Sequence, residues 1–223
     1  MTWIKICGTT NLQDAQISVD AGCDALGFIF APSPRHVEIS QAAEIIARLP
    51  ERVEKIGIFV NDSPAAVADI AANCGLTGVQ LQGDEAPESL PEFRRALGDR
   101  KIIKTIQAKK LLEAWHHGLQ WFSQSPREVD AILLDSGSAM QRGGTGVAFD
   151  WQAALPMVKE IQKTMPVIVA GGLNHQNVEE ALQLFAPWGV DVVSGVEREP
   201  GRKDESKLRD FIAAVRRAQA AVS

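Results

Sequence analysis

Apolar residues along this chain fall into two alternating kinds of run. Short stretches rich in β-branched residues, such as Ile56-Gly57-Ile58-Phe59-Val60 and Val167-Ile168-Val169-Ala170, are apolar at consecutive positions. The longer stretches between them repeat apolar residues at the helical period. Taking the first kind as strands predicts strands near 2–7, 24–30, 53–60, 77–81, 101–106, 130–134, 166–170 and 190–193. Taking the second kind as helices predicts helices near 11–22, 40–49, 63–74, 86–98, 108–122, 150–164, 174–185 and 204–221. Boundary residues agree with this division. Asn11 and Ser63 stand at N-cap positions, Pro64 and Pro87 in first turns, and Gly22 and Gly75 just past helix ends.

Strands that are apolar at consecutive positions belong to a parallel sheet covered on both faces. Eight of them in strict βα alternation predict a closed (β/α)8 barrel, the TIM-barrel class of α/β fold, as a single domain over 1–223. That length lies near the lower limit for the class, so the loops must be short. A doubly wound open sheet shares the alternation. Against it, the first βα turn lacks a G-x-G-x-x-G pattern, and glycines of the phosphate-binding kind come late in the chain.

Composition narrows the function classes more than the fold. The chain is 45% hydrophobic and 23% charged, an ordinary soluble composition, with a net charge of −5. Its acidic and basic residues are interspersed, which argues against a nucleic-acid partner. The N-terminus has no basic segment leading into an apolar run, and no stretch reaches the roughly 18 apolar residues of a membrane span. A cytoplasmic protein with no membrane partner is expected. The three cysteines, Cys7, Cys23 and Cys74, form no C-x-x-C pair and have no histidine at ligand spacing, so neither a disulfide framework nor a metal site is suggested. Cys23 and Cys74 read as packing residues at helix ends.

In a barrel, chemistry belongs to the C-terminal ends of the strands and the loops that follow them, with phosphate commonly held after strands seven and eight. Those two loops read Ala170-Gly171-Gly172-Leu173-Asn174 and Val193-Ser194-Gly195-Val196-Glu197. Their glycines leave backbone N–H groups free to approach an anion, which makes a phosphate cup the better reading than two unrelated tight turns. Strand six ends on Asp135, a rim carboxylate followed by a glycine-rich loop. Partial burial would raise its pKa and suit it to acid catalysis; a helix N-cap is the plainer alternative. Cys7 ends strand one, where it is either a buried thiol or a reactive one. Arg35, in Ser33-Pro34-Arg35-His36, is a loop guanidinium that can clamp a carboxylate or phosphate by two parallel hydrogen bonds.

The motifs KICGTT at 5–10, GFIFAPSPRHV at 27–37, GIFVN at 57–61, GVQLQG at 78–83, LLDS at 133–136, GGTGVAFDW at 143–151, AGGLN at 170–174 and VDVVSGVE at 190–197 occur in this order. Together they resemble the phosphoribosylanthranilate isomerase family of tryptophan biosynthesis, over residues 3 to about 204. The resemblance implies an Amadori rearrangement of the small-molecule substrate N-(5-phosphoribosyl)anthranilate to 1-(2-carboxyphenylamino)-1-deoxyribulose 5-phosphate, without metal or organic cofactor. It implies Cys7 as general base and Asp135 as general acid, Arg35 on the anthranilate carboxylate, and Gly171, Gly172, Ser194 and Gly195 on the phosphate. Asp191 is implied to face the substrate amine, although a core carboxylate satisfied by Lys5 fits it as well. Lys5, two residues before Cys7 on the same strand face, could assist the thiolate or merely pair such a carboxylate.

The chain departs from the family pattern at two positions. Gln82 stands where the family's Val-Gln-Leu-His-Gly has histidine, and keeps hydrogen-bonding capacity toward substrate without a positive charge. Val193 replaces the first serine of Ser-Ser-Gly, which removes a hydroxyl worth about 1 kcal/mol if it bonded the ligand. Neither touches the acid or the base, so altered affinity or rate is expected. Other phosphosugar barrels fit less well. An epimerase would want metal-binding His and Asp groups on several strands, and none of His36, His116, His117 or His175 ends a strand. Indole-glycerol-phosphate synthase would want lysine and glutamate catalysts at strand ends. A non-catalytic phosphate binder is the alternative of a different class, and retention of both Cys7 and Asp135 counts against it. The chain would work as a monomer or a homodimer.

Overall fold

The structure, a computed structural model, describes residues 1–108, 128–135 and 150–220. Its strands are β1 (Trp3–Ile6), β2 (Ala25–Ile29), β3 (Glu54–Phe59), β4 (Gly78–Leu81), β5 (Lys101–Gln107), β6 (Ala131–Asp135), β7 (Val167–Val169) and β8 (Gly189–Val192). Each pairs in parallel with the next, and β8 pairs with β1 to close the barrel. The closing register sets Lys5 directly opposite Asp191. All eight strands lie within a few residues of the positions that the apolar runs predict.

Helices α1 (Leu12–Ala21), α2 (Ile39–Ile46), α3 (Pro64–Cys74) and α4 (Leu90–Leu97) follow the first four strands, and the helices Trp151–Ile161, Val178–Phe185 and Glu205–Ala220 follow β6, β7 and β8. Asn11 and Ser63 cap as expected: each side-chain oxygen accepts from the backbone N–H three residues on. The helix expected over 108–122, beyond Ala108, and the glycine-rich loop expected over 136–148 lie outside the described residues.

Two departures have local causes. The helix expected from 174 begins at Val178. Before it, Asn177 Oδ1 accepts from the Asn174 N–H, Asn177 Nδ2 donates to the Gly172 carbonyl, and Asn174 Oδ1 accepts from the Gln176 N–H. Such side-chain bonds compete with the helical ladder and hold the turn open. The stretch 197–203, to which the apolar pattern assigned no element, carries one: Glu197–Glu199 (β9) and Arg202–Lys203 (β10) form a short antiparallel hairpin around Pro200-Gly201.

The core has two shells. Between strands and helices lies one continuous cluster that includes Ile4, Ile6, Phe28, Phe59, Leu81, Phe93, Phe185 and Phe211. Inside the barrel lies a second, made of Trp3, Ala25, Ile56, Ile103, Ala131, Leu133, Ile168 and Ala170. Strand residues alternate between these shells, and both are dry, which is why the runs are apolar without alternation. Near the C-terminal ends of the strands the inner shell turns polar. Lys5, Gln80, Thr105, Asp135 and Asp191 are all buried there. At the opposite end the stacked rings of Trp3 and Trp188, with centroids 5.1 Å apart, and the Lys101 ammonium 5.0–5.2 Å from both rings close the barrel floor.

Candidate active site

A cavity of about 520 Å³ opens at the C-terminal mouth of the barrel. Cys7, Asp135, Arg35, Gln82 and Asp191 line it, together with Gly171, Gly172 and Ser194. Of the residues singled out in the sequence, Lys5 and Gly195 are not on its wall.

Cys7 follows β1 directly, and its N–H still donates to the Val192 carbonyl at 2.9 Å, so its side chain continues the inward face begun by Trp3 and Lys5. Its thiol lies over the backbone of Gly27 on β2. A Cβ at Gly27 would come within 2.6 Å of the sulfur, so the glycine makes room for the thiol.

Lys5, fully buried beneath the cavity, donates from Nζ to Asp191 Oδ1 at 2.8 Å across the closing seam. Its charge also acts on the Cys7 thiol two residues on along the same strand face. Burial works to lower the Lys5 pKa, but the charges of Asp191 and Cys7 outweigh it, and the ammonium is held above its ordinary value. For Cys7, burial is the largest influence and pushes the thiol up. Lys5 and Lys203 pull it down and Asp191 pushes it up; the net result lies above the ordinary thiol value. The cations that favour a thiolate are therefore Lys5 from inside the barrel and Lys203 from the hairpin.

Arg35 is held by a residue that sequence reasoning did not single out. Its Nε lies 3.0 Å from both carboxylate oxygens of Glu197, and its Nη2 lies 2.7 Å from Oε2. Among the described residues Nη1 has no hydrogen-bond partner. Glu197 also accepts from Lys203 Nζ at 3.1 Å and from the Gly201 N–H at 3.2 Å, and Lys203 Nζ in turn donates to the Cys7 carbonyl. One carboxylate thus ties the guanidinium at the cavity wall to the backbone of Cys7. Burial works to raise the Glu197 pKa, but the hydrogen bonds from Arg35 and the charge of Lys203 prevail and hold it below the usual carboxyl range. Lys203 itself is pushed down by burial, which Glu197 and Cys7 offset only in part, and the like charge of Arg35 adds to the lowering. The one sequence cue to Glu197 was its place at the end of the motif after β8.

Asp135 ends β6 and is buried at the rim. Gln82 Nε2 donates to its Oδ2 at 3.1 Å, while Gln82 Oε1 accepts from Gln80 Nε2 at 2.6 Å and from Thr105 Oγ1 at 2.7 Å. The departure at Gln82 therefore falls on the support of the acid candidate.

The loops after β7 and β8 meet. Gly171 and Gly172 adopt φ values of 82° and 71°, left-handed backbone that other residues rarely accept. Gly195 packs against the other loop, since a Cβ there would lie 1.9 Å from the Leu173 carbonyl oxygen. Gly195 accordingly lies behind the cavity wall, which Gly171, Gly172 and Ser194, the first residue of the 3-10 turn Ser194–Val196, help to line. Among the described residues there is no group of three or more His, Cys, Asp or Glu that could hold a metal ion, and no helix long and apolar enough to cross a membrane.

Comparison with known proteins agrees with this geometry. A Geobacter sulfurreducens N-(5'-phosphoribosyl)anthranilate isomerase is 45% identical over 215 residues, covering 95% of this chain and 97% of that protein. The crystal structure of phosphoribosyl anthranilate isomerase from Thermotoga maritima superposes with a TM-score of 0.82 at 36% identity, covering 97% of this chain and 99% of that one. A further phosphoribosyl anthranilate isomerase structure, in complex with reduced 1-(o-carboxyphenylamino)-1-deoxyribulose 5-phosphate, matches with a TM-score of 0.79 at 34% identity over 97% of this chain and 99% of its own. The family model for N-(5'phosphoribosyl)anthranilate (PRA) isomerase matches residues 4–214, and this chain belongs to that family.

Proposed function

We propose that this protein isomerises N-(5-phosphoribosyl)anthranilate to 1-(2-carboxyphenylamino)-1-deoxyribulose 5-phosphate in tryptophan biosynthesis, with Asp135 as general acid and Cys7 as general base. The observation that carries the assignment of roles is that both line one cavity which also presents Arg35 and the Gly171-Gly172 and Ser194 loops. A substrate with a carboxylate at one end and a phosphate at the other is matched by those two anchors. The Arg35 Nη1 edge would receive the anthranilate carboxylate, with Glu197 keeping the guanidinium from turning away. The backbone N–H groups of the glycine loops would receive the phosphate.

Asp135 gives its proton to the ribose ring oxygen. The C1–O bond breaks with its electron pair on that oxygen, and the anthranilate nitrogen lone pair forms a C1=N bond. The resulting iminium makes the C2 proton acidic. The Cys7 thiolate removes it, and the C2–H electron pair forms the C1=C2 bond of an enolamine while the iminium is neutralised. Protonation at C1 and loss of the C2 hydroxyl proton then give the ketose. At this stage Asp135 has lost one proton and Cys7 has gained one, and exchange with solvent resets both. Asp191, oriented by Lys5, stands on the wall where it can stabilise the positive iminium nitrogen.

Turnover of fluorescent phosphoribosylanthranilate by the purified wild-type protein tests the reading. Fluorescence decay to product is expected; binding of a reduced product analogue without any turnover would leave the protein a phosphate-ligand binder instead.

A further inference from the structure

Val193 stands where the two anchors of the cavity meet. It follows Asp191 by two residues, so its side chain continues the inward face of β8 one step nearer the mouth, and both residues line the cavity. Ser194, next in the chain, already belongs to the proposed phosphate loops. On the other flank lies the stem of Arg35. A Cβ built on Gly8 would lie 2.7 Å from Arg35 Cδ and 3.4 Å from Val193 Cγ1, so the two side chains converge over that glycine. Gly8 has a φ of 75°, and a side chain there would collide with the stem.

The shape of the substrate says what lies between these groups. Its carboxylate and its nitrogen sit on adjacent carbons of the benzene ring. With the carboxylate on Arg35 and the nitrogen at Asp191, the ring edge that joins them spans the gap between those two side chains. Val193 borders both, next to Asp191 along the strand and next to the Arg35 stem across Gly8. Beyond Arg35 the wall stays apolar, with Ile29, Ala31, Ile58 and Val60. A valine offers such a ring two methyl groups. A phosphate is held by N–H and O–H donors, which the valine side chain lacks.

We propose that Val193 is a specificity-determining residue that packs against the anthranilate ring, so that position 193 serves the aromatic end of the substrate and not its phosphate. The inference rests on the isomerase reading, with Arg35 on the carboxylate and Asp191 on the nitrogen. The rearrangement alters the sugar and leaves the ring, its carboxylate and its nitrogen bonded as before. A contact to the ring is therefore equally strong in substrate, transition state and product. Such a contact lowers KM and leaves kcat alone.

The experiment measures dissociation constants for wild type, Val193→Ser and Val193→Ala with three ligands that the enzyme does not consume. These are the reduced product analogue, the same compound made from aniline and so lacking the ring carboxylate, and ribose 5-phosphate, which has no ring. Both variants should weaken the two ring-bearing ligands by the same factor, about tenfold, and leave ribose 5-phosphate unchanged. A loss confined to the ligand with the carboxylate would mean that Val193 acts only through Arg35, and would overturn the ring contact. An equal loss for ribose 5-phosphate, or tighter binding of it by Val193→Ser, would assign the position to the phosphate and overturn the proposal too. So would ring-bearing ligands that bind all three proteins alike. In turnover assays both variants should raise KM about tenfold with kcat near wild type; a fall in kcat at unchanged KM would count against the proposal. Wild-type turnover in the same assay separates the two failures: without it the isomerase reading falls, and with it only the role of Val193 is at stake.

Discussion

Around Cys7 the polar neighbours are ions, with Lys5 and Asp191 inside the barrel and Lys203 from the hairpin, whereas on its β4 side Asp135 is held by the neutral amide of Gln82. The difference suits the two roles proposed for them. A thiol must lose its proton before it can act as a base, and nearby cations reduce what that loss costs in a dry site. A carboxyl acting as an acid must keep its proton until the ring opens, and a permanent cation beside it would strip that proton too early. Nearby cations therefore suit the proposed base, and the uncharged Gln82 amide is compatible with the proposed acid.

The comparison breaks most visibly at its two ends. Cys7→Ala and Asp135→Asn should each lower kcat by about two to four orders of magnitude, as loss of a positioned base or acid does. Both should still quench with a bound product analogue, and a rate near wild type in either would refute its role. Next comes the ionic side alone. Lys5→Met should destabilise the fold by roughly 3–5 kcal/mol, because it leaves Asp191 buried and unpaired. The acidic limb of kcat/KM that reports the thiolate should move to higher pH, since the thiol loses the cation with the larger influence on it. The pair replacement Lys5→Met with Asp191→Leu should recover much of the stability in a urea melt without recovering the rate; recovery of both would make the pair purely structural.

Smaller in effect, Gly27→Ala should displace the thiol and reduce kcat by about a hundredfold, the cost of misplacing a reacting group by an ångström. Thermal melts should show the fold intact, and an unchanged kcat would mean that the thiol has room to spare. The weakest effect is expected at Glu197. Glu197→Gln should raise KM by about tenfold, roughly 1.4 kcal/mol of lost positioning at Arg35, with kcat less affected. The folded-state pKa of Glu197 is depressed, so its contribution to stability is complete above the ordinary carboxyl value and is lost as pH falls through the lower folded value. The difference in Tm between wild type and Glu197→Gln should therefore shrink on acidification from neutral pH. A constant difference across that range would contradict the ionic role of Glu197.

Much of the site was legible because a barrel converts strand ends into a rim. Cys7 and Asp135 stand at the ends of apolar runs, and the glycines after β7 and β8 stand where an anion is expected, so local pattern located them; Asp191, inside β8, was singled out through the family resemblance. Arg35 was legible as a loop guanidinium after a proline. Glu197, Lys203 and the grouping of Gln80 with Gln82 and Thr105 were not. Glu197 reads as one acid in a polar stretch, and nothing near it in sequence says that it faces Arg35, 162 positions earlier. Gln80 reads as an interruption of an apolar strand, and its meaning depends on which residue of β5 lies beside it.

By itself the sequence determined the alternation of elements, the two dry faces of each strand, and which residues point inward at the strand ends, since all of these follow from a period of two and from local caps and turns. Closure of the barrel decided the rest. Only the pairing of β8 with β1 sets Asp191 against Lys5 from 186 positions away, and only the hairpin folded back over the rim brings Lys203 and Glu197 to Cys7 and Arg35. Charges that interact over about 3 Å act through space, so their effect on Cys7 is set by register and closure, which no local stretch of chain encodes.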